Sequence, residues 1–242
     1  MSKITNDDNI KLWSSAPKNI LENFGDEGDF ARQHLLNPAL FSLLGDIKNK
    51  KILDAGCGQG YLCRLLAKKG AIVTGIEPAL DFIEYAIDRE KKEHLVITYF
   101  KEDLSKFKTN DEFDFVVSNM VFMDIPDYKS AIHNCIRVLK KGGSFIFSIS
   151  HPCFFPDTDW NKKPSLEIKE YFAEYAEKQN FGYSFHRTLG SYLNFIIEEG
   201  CEIKKLIEPQ LDKETAKLKP NYSREVHIPS FLLIKATKNS YV

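Results

Sequence analysis

The chain has 242 residues, 43% of them apolar, with 33 basic and 34 acidic side chains that balance to a net charge of −1. That length suits one α/β domain with additions, and the even charge balance argues against a protein that wraps a nucleic-acid backbone. No apolar run approaches the ~20 residues of a membrane span, and Asp7 and Asp8 stand where a signal peptide needs an apolar core.

Residues 1–48 read as helical. Ile10, Leu12, Trp13, Ile20, Leu21 and Phe24 predict one or two helices around a break at Pro17, and the acid-bearing segment from Gly25 to Gly28 reads as a mobile loop. Asn37-Pro38 predicts a helix start, with asparagine as N-cap and proline in the first turn. Leu40, Phe41, Leu43 and Leu44 give it an apolar face, closed by Gly45.

From residue 51 the pattern is α/β alternation. Strands are predicted at 51–55, 71–76, 95–100, 113–118 and 144–150, with helices at 61–69, from Pro78 onward, and from an Asp127 cap to Lys141. Gly142-Gly143 reads as the end of that last helix. Five strands with four helical crossovers imply a parallel sheet covered on both faces. Residues 151–187 break the rhythm, and 167–179 fit a helix or an extended segment. Thr188 caps another helix, 202–208 is a sixth strand, 211–224 a loose charged excursion and 230–237 a last strand. The chain therefore divides as one domain, 1–242: a helical N-terminal part (1–48), a core (49–150), an insertion (151–187) and a C-terminal helix with two strands (188–242).

Ligands of an open α/β sheet sit beyond the carboxyl ends of its strands. The first strand ends in Asp54-Ala55-Gly56-Cys57-Gly58-Gln59-Gly60, followed by the helix from Tyr61. The glycines permit positive φ and close approach, and free N–H groups would open the helix. Asp54 would repel a pyrophosphate and suits a ligand whose near end is cationic. Glu77, about 20 residues on at the second strand end, can accept both hydroxyls of a ribose, a device nicotinamide enzymes share. The five cysteines, Cys57, Cys63, Cys135, Cys153 and Cys201, form no Cys-x-x-Cys pair. Their odd count points to a reducing cytoplasm, without a disulfide framework or a structural metal.

The stretch from Lys51 to Tyr61 resembles the first motif of the class I S-adenosylmethionine-dependent methyltransferases, and His151-Pro152-Cys153-Phe154 resembles a bacterial small-molecule subgroup. The resemblance implies a Rossmann-like, seven-stranded, mostly parallel sheet whose antiparallel last strand inserts between the fifth and sixth. It also implies an N-terminal helical lid, S-adenosyl-L-methionine as cofactor and S-adenosyl-L-homocysteine as product. Carried over residue by residue, Asp54 helps hold the amino end and the backbone of Ala55, Gly56, Cys57 and Gly58, with Tyr61, follows the methionine part. Glu77 and Pro78 meet the ribose, Asp103 and Leu104 the adenine, and Asn119 and Met120 form a floor near the sulfur. Arg32, in the lid-like segment, meets the carboxylate. Ser118-Asn119-Met120-Val121 lacks the Asp/Asn-Pro-Pro-Tyr run of enzymes that methylate base amines, which favours a small-molecule acceptor over nucleic acid.

Methyl transfer from a sulfonium is an in-line displacement that needs alignment, exclusion of water and, for a protonated acceptor, a base. His151 and His186 are the candidate bases. His151 reads equally as a residue that bonds backbone and shapes its loop, and His34 and His133 read as structural or surface residues. Phe154, Phe155, Trp160, Tyr171, Phe172, Tyr175, Phe181, Tyr183 and Phe185, together with the lid, are expected to wall the acceptor pocket, or else to form the insertion's own small core. Two other functions remain open: a noncatalytic protein that binds the same cofactor, and an NAD-dependent oxidoreductase on a similar sheet.

Overall fold

The computed structural model describes residues 4–154 and 164–240. The five predicted parallel strands form as β1 (Lys51–Ala55), β2 (Ile72–Ile76), β3 (Thr98–Phe100), β4 (Phe113–Asn119) and β5 (Leu139–Ser150). A separate antiparallel hairpin follows, β6 (Tyr175–Gln179) and β7 (Gly182–His186). β8 (Cys201–Ile207) and β9 (Phe231–Lys238) complete a seven-stranded sheet of order β3-β2-β1-β4-β5-β9-β8. β9 runs antiparallel between β5 and β8, as the resemblance implied.

Alternation of side chains along each strand sends successive residues to opposite faces. Leu53, Val116, Phe145, Phe147 and Ile234 pack on one side of the sheet, against α6 (Tyr128–Arg137) and α7 (Leu189–Glu198). Ile52, Val73, Val117, Ile146 and Leu233 pack on the other, against α3 (Asn37–Leu44), α4 (Tyr61–Lys68) and α5 (Leu80–Glu93). The N-terminal segment adds α1 (Asn6–Ser14) and α2 (Lys18–Asn23), separated at Pro17 as expected. Near the C-terminus lies α8 (Lys213–Leu218).

Several sequence expectations change. Asn37 is not an N-cap: a π-turn over Arg32–Leu36 runs straight into α3, and the Asn37 amide donates to Glu27 O at 2.7 Å. Gly142 and Gly143 lie inside β5, because α6 stops at Arg137 and pairing with β4 begins at Leu139. Gly143 passes so close to Asp114 O and Lys140 O that a Cβ would approach them to 3.1 and 2.9 Å. The link from β3 to β4 carries no helix, so the parallel strands have three helical crossovers rather than four. Residues 211–224 are not loose: Asp212 caps α8 through the N–H groups of Glu214 and Thr215, and Leu211 and Ala216 bury against Leu35.

The open segment 167–179 is extended where it is regular, as β6. The loop from Gly25 to Gly28 is held at every residue. Gln59 donates to Gly25 O (3.0 Å), Arg89 to Asp26 (2.6 Å), Asn37 to Glu27 O and Gln33 to Gly28 O (2.7 Å). Charged loop residues alone suggested freedom; the partners come from three separate parts of the chain.

Candidate active site

Strand order reverses between β1 and β4, and the principal cleft opens beyond the carboxyl ends at that point. It encloses about 1000 Å³ of empty space, its open mouth included. The β1–α4 loop forms one wall through Gly56, Cys57, Gly58 and Gln59, with Tyr61 behind them. Gly56 (φ 80°) lies so close to Val121 that a Cβ would sit 2.6 Å from its side chain, and at Gly60 (φ 81°) a Cβ would sit 2.5 Å from the Tyr99 hydroxyl. These two glycines are required by the protein's own packing. Gly58 has open room beside it, with only Phe82 in reach of a Cβ, at 3.7 Å.

Four N–H groups of the loop are already used. Gly56 and Cys57 both donate to Ile76 O at 2.9 Å, Gly60 to Cys57 O at 2.9 Å, and Gly58 to the Glu77 carboxylate at 3.0 Å. A pyrophosphate needs such donors uncommitted, so this loop is built as a shaped wall and not as a phosphate cradle.

Glu77 stands half-buried in the cleft, its second oxygen accepting from Ala79 N at 2.8 Å. Burial pushes its carboxyl up to about 7, partly opposed by the two backbone donors. Pro78 lines the cleft beside it, and Asp103 and Leu104 line it at the end of β3. The Asp103 carboxylate is engaged by Ser105 (2.9 Å) and by the Asn6 amide of α1 (3.2 Å). Asn119 and Met120 form part of the floor. The Asn119 amide donates to the Tyr61 hydroxyl at 2.6 Å, and Tyr61 donates in turn to Asn37 at 3.3 Å. Met120 holds φ at 62°, fixed by its N–H on the Ser148 hydroxyl at 2.9 Å; a side-chain-bearing residue in that region is strained unless its surroundings hold it there. Arg32 also lines the cleft, paired with Asp29 at 2.8 Å and lying 4.6 Å from the centre of the Phe24 ring.

Two expected site residues lie elsewhere. Asp54 and Ala55 are buried beneath the loop and do not line the cleft. The Cys63 thiol donates to the Asp54 carboxyl at 3.1 Å, and burial pushes that carboxyl up to about 7. Asp54 thus supports the loop from below.

Neither candidate base faces the cleft. His151 Nδ1 accepts the Cys153 N–H at 3.2 Å, which leaves Nε2 to carry the proton toward Glu208 at 2.8 Å. His186 is clamped between Ala173 O (2.9 Å) and Pro152 O (3.2 Å) and stacks on Tyr175. Both border a separate, smaller cavity of about 300 Å³ of empty space, its open mouth included. His34 packs against Phe30, and exposed His133 pairs with Glu199.

Among the described residues, the aromatics expected from the insertion do not line the cleft. Phe172 is 88% exposed, Phe181 packs near Trp13 and Phe82, and Phe185 lies 5.1 Å from the Arg187 guanidinium. Phe154, Tyr171, Tyr175 and Tyr183 do not line it either, and Phe155 and Trp160 lie outside the described residues. The N-terminal segment supplies the wall instead, through Asn6, Asn9, Ile10, Trp13 and Phe24, and the turn after β4 supplies Val121, Asp124, Ile125 and Pro126. Helical spacing on α1 carried a hint of that inner face. Nothing local marked Asp124 or Gln59, whose partners are distant in sequence.

Residues 53–147 match the family model described as a methyltransferase domain. A crystal structure of an S-adenosylmethionine-dependent methyltransferase from Mesorhizobium loti superimposes with a TM-score of 0.76 at 27% identity, covering 88% of this chain and 100% of that one. The chain thus carries a methyltransferase-domain match over residues 53–147 and is similar over most of its length to an S-adenosylmethionine-dependent methyltransferase. A methyltransferase structure from Listeria monocytogenes aligns with a TM-score of 0.71 at 29% identity, covering 84% of this chain and 96% of that one. Among curated relatives, a ubiquinone biosynthesis O-methyltransferase of Coxiella burnetii is 34% identical over 119 residues, 48% of this chain and 51% of that protein. The corresponding protein of Glaesserella parasuis is 36% identical over 132 residues, 50% and 56% of the two chains. The chain spans about half the length of the curated relatives it matches. Among the described residues, no helix is long and apolar enough to cross a membrane, and no cluster of His, Cys, Asp or Glu has the geometry to hold a metal ion.

Proposed function

We propose that the protein transfers the methyl group of S-adenosyl-L-methionine to a small-molecule acceptor held in the principal cleft. The observation that carries this reading is the cleft wall itself: a glycine loop with four of its N–H donors spent internally, beside half-buried carboxylates at the ends of β2 and β3. Such a wall disfavours phosphates and suits a cationic nucleoside. In this reading Glu77 takes the ribose hydroxyls, Asp103 and Leu104 an adenine edge, Arg32 a carboxylate, and Asn119 and Met120 form the floor near the sulfur. When bound, the cofactor supplies a methyl group on a cationic sulfur. The chain's part is to align the acceptor and keep water out. Positioning of this kind supplies up to ~7–11 kcal/mol.

Asn6, Asn9, Ile10 and Trp13 of α1, with Phe24 just after α2, line the cleft, which supports a lid role for the N-terminal segment. The even charge balance supports a small acceptor over nucleic acid. The names of the curated relatives make an acceptor oxygen the first class to test.

A thermal-shift comparison decides the cofactor, because a ligand bound only by the native state raises the midpoint, by about 2.7 kcal/mol at a hundred times its Kd. S-adenosyl-L-homocysteine is expected to raise it and NAD(P) to leave it unchanged. The reverse result selects an oxidoreductase. A shift without methyl transfer to any component of a metabolite extract selects a noncatalytic binding protein.

A further inference from the structure

The two histidines marked as bases are committed elsewhere, so a protic acceptor in this cleft would need another group to receive its proton. Three of the acids near the cofactor positions are engaged too. Glu77 holds two backbone N–H groups, Asp103 holds Asn6 and Ser105, and Asp54 lies beneath the loop. Asp124 differs. It lies at the end of the short turn Phe122–Asp124 that follows β4 and lines the cleft between Val121 and Ile125, downstream of the Met120 floor.

We propose that Asp124 is the catalytic base of this methyltransferase, and hence that its acceptor is a hydroxyl or amine that surrenders a proton on methylation. This rests on the activity proposed above. The acceptor's lone pair forms the new bond to the methyl carbon, the electron pair of the broken carbon–sulfur bond stays on sulfur, and the acceptor's proton passes to the Asp124 carboxylate.

The surroundings suit that task. Ser184 of β7, whose hydroxyl acts to lower the Asp124 carboxyl, borders the small second cavity. Its main chain is fixed by the buried Asn9 of α1, which donates to Asp124 O at 2.6 Å. Burial pushes the carboxyl up to about 7. The Ser184 hydroxyl, Arg32 from the π-turn and Arg187 beyond β7 act in the opposite direction. A base matched to neutral pH is the most effective kind. The apolar neighbours Val121, Ile125 and Pro126 keep the site dry around it.

The test uses the full chain as wild type, Asp124→Asn and Ser184→Ala. S-adenosyl-L-homocysteine is expected to shift the thermal midpoint of all three equally, which verifies folding and the cofactor site. With methyl-labelled cofactor and a metabolite extract, wild type should place label on oxygen or nitrogen, and Asp124→Asn should slow labelling ~10²–10⁴-fold. Wild-type activity should rise with pH as the carboxyl ionises. Ser184→Ala should keep much of the activity but move that acid limb upward, since a donor that lowers the carboxyl is gone. Labelling at the wild-type rate by Asp124→Asn, an unmoved limb in Ser184→Ala, or label on an atom that carried no hydrogen would each overturn the inference. A wild type that binds S-adenosyl-L-homocysteine yet labels nothing overturns the proposed activity and this inference with it. A wild type that does not bind it overturns the cofactor reading.

Discussion

The sequence puts Asp54 and Glu77 at successive strand ends as cofactor acids, and the structure separates them. Glu77 meets the cleft and Asp54 meets Cys63. Their substitutions should therefore differ. Glu77→Gln is expected to weaken S-adenosyl-L-homocysteine binding by about 10- to 100-fold, the ~1.5–3 kcal/mol of hydrogen bonds to a charged group. Asp54→Asn keeps an acceptor for the Cys63 thiol and should change affinity less than tenfold. Calorimetric titration of both variants checks the contrast; equal losses would return Asp54 to the cleft. Strand ends are visible in a sequence as the points where an apolar run stops, so Glu77, Asp103 and Asn119 were legible. Whether an acid points into the cleft or under its floor depends on how the next helix docks, and no local pattern carries that.

Among elements, the sheet was legible because strands buried on both faces read as continuous apolar runs. The β6–β7 hairpin was not, since its first strand is largely exposed and its stability comes from α1, far away in sequence. Asn9 makes that connection. Buried in the middle of α1, it donates to Tyr183 O (2.9 Å) and accepts from Tyr183 N (2.7 Å) as an added strand would, while its amide also reaches Asp124 O. Asn9→Ala leaves these buried backbone groups without partners and should cost about 1–3 kcal/mol in urea unfolding. Faster amide exchange at Tyr183 should accompany it. Gly182→Ala should have a related effect, because a Cβ there would sit 2.9 Å from both Asn9 Oδ1 and the Trp13 indole nitrogen. Unchanged stability in both variants would show that α1 does not depend on the hairpin.

For the whole molecule, three carboxyls raised to about 7, those of Asp54, Glu77 and Asp124, make stability depend on pH in an uncommon direction. Between the ordinary carboxylate range and about 7 the folded chain holds more protons than the unfolded one. Their contribution is thus complete below the unfolded values of 3.8 and 4.5 and is lost as pH rises through about 7. Each group sets a slope of at most ~1.4 kcal/mol per pH unit. The ligand-free midpoint should fall between roughly pH 5 and pH 8, and less steeply in Asp54→Asn. A midpoint flat over that interval would show these carboxyls to be ordinary. The bond from Gln59 to Gly25 has a consequence on the same scale. Gln59 belongs to the cofactor-side wall and Gly25 to the segment following α2, so the shape of one and the position of the other share a single equilibrium. Coupling of that kind is reciprocal: whatever a ligand gains by settling against the wall it gives equally to closure. Gln59→Ala should therefore weaken S-adenosyl-L-homocysteine binding by as much free energy as it loosens the covering segment, a rise in Kd that calorimetric titration reads.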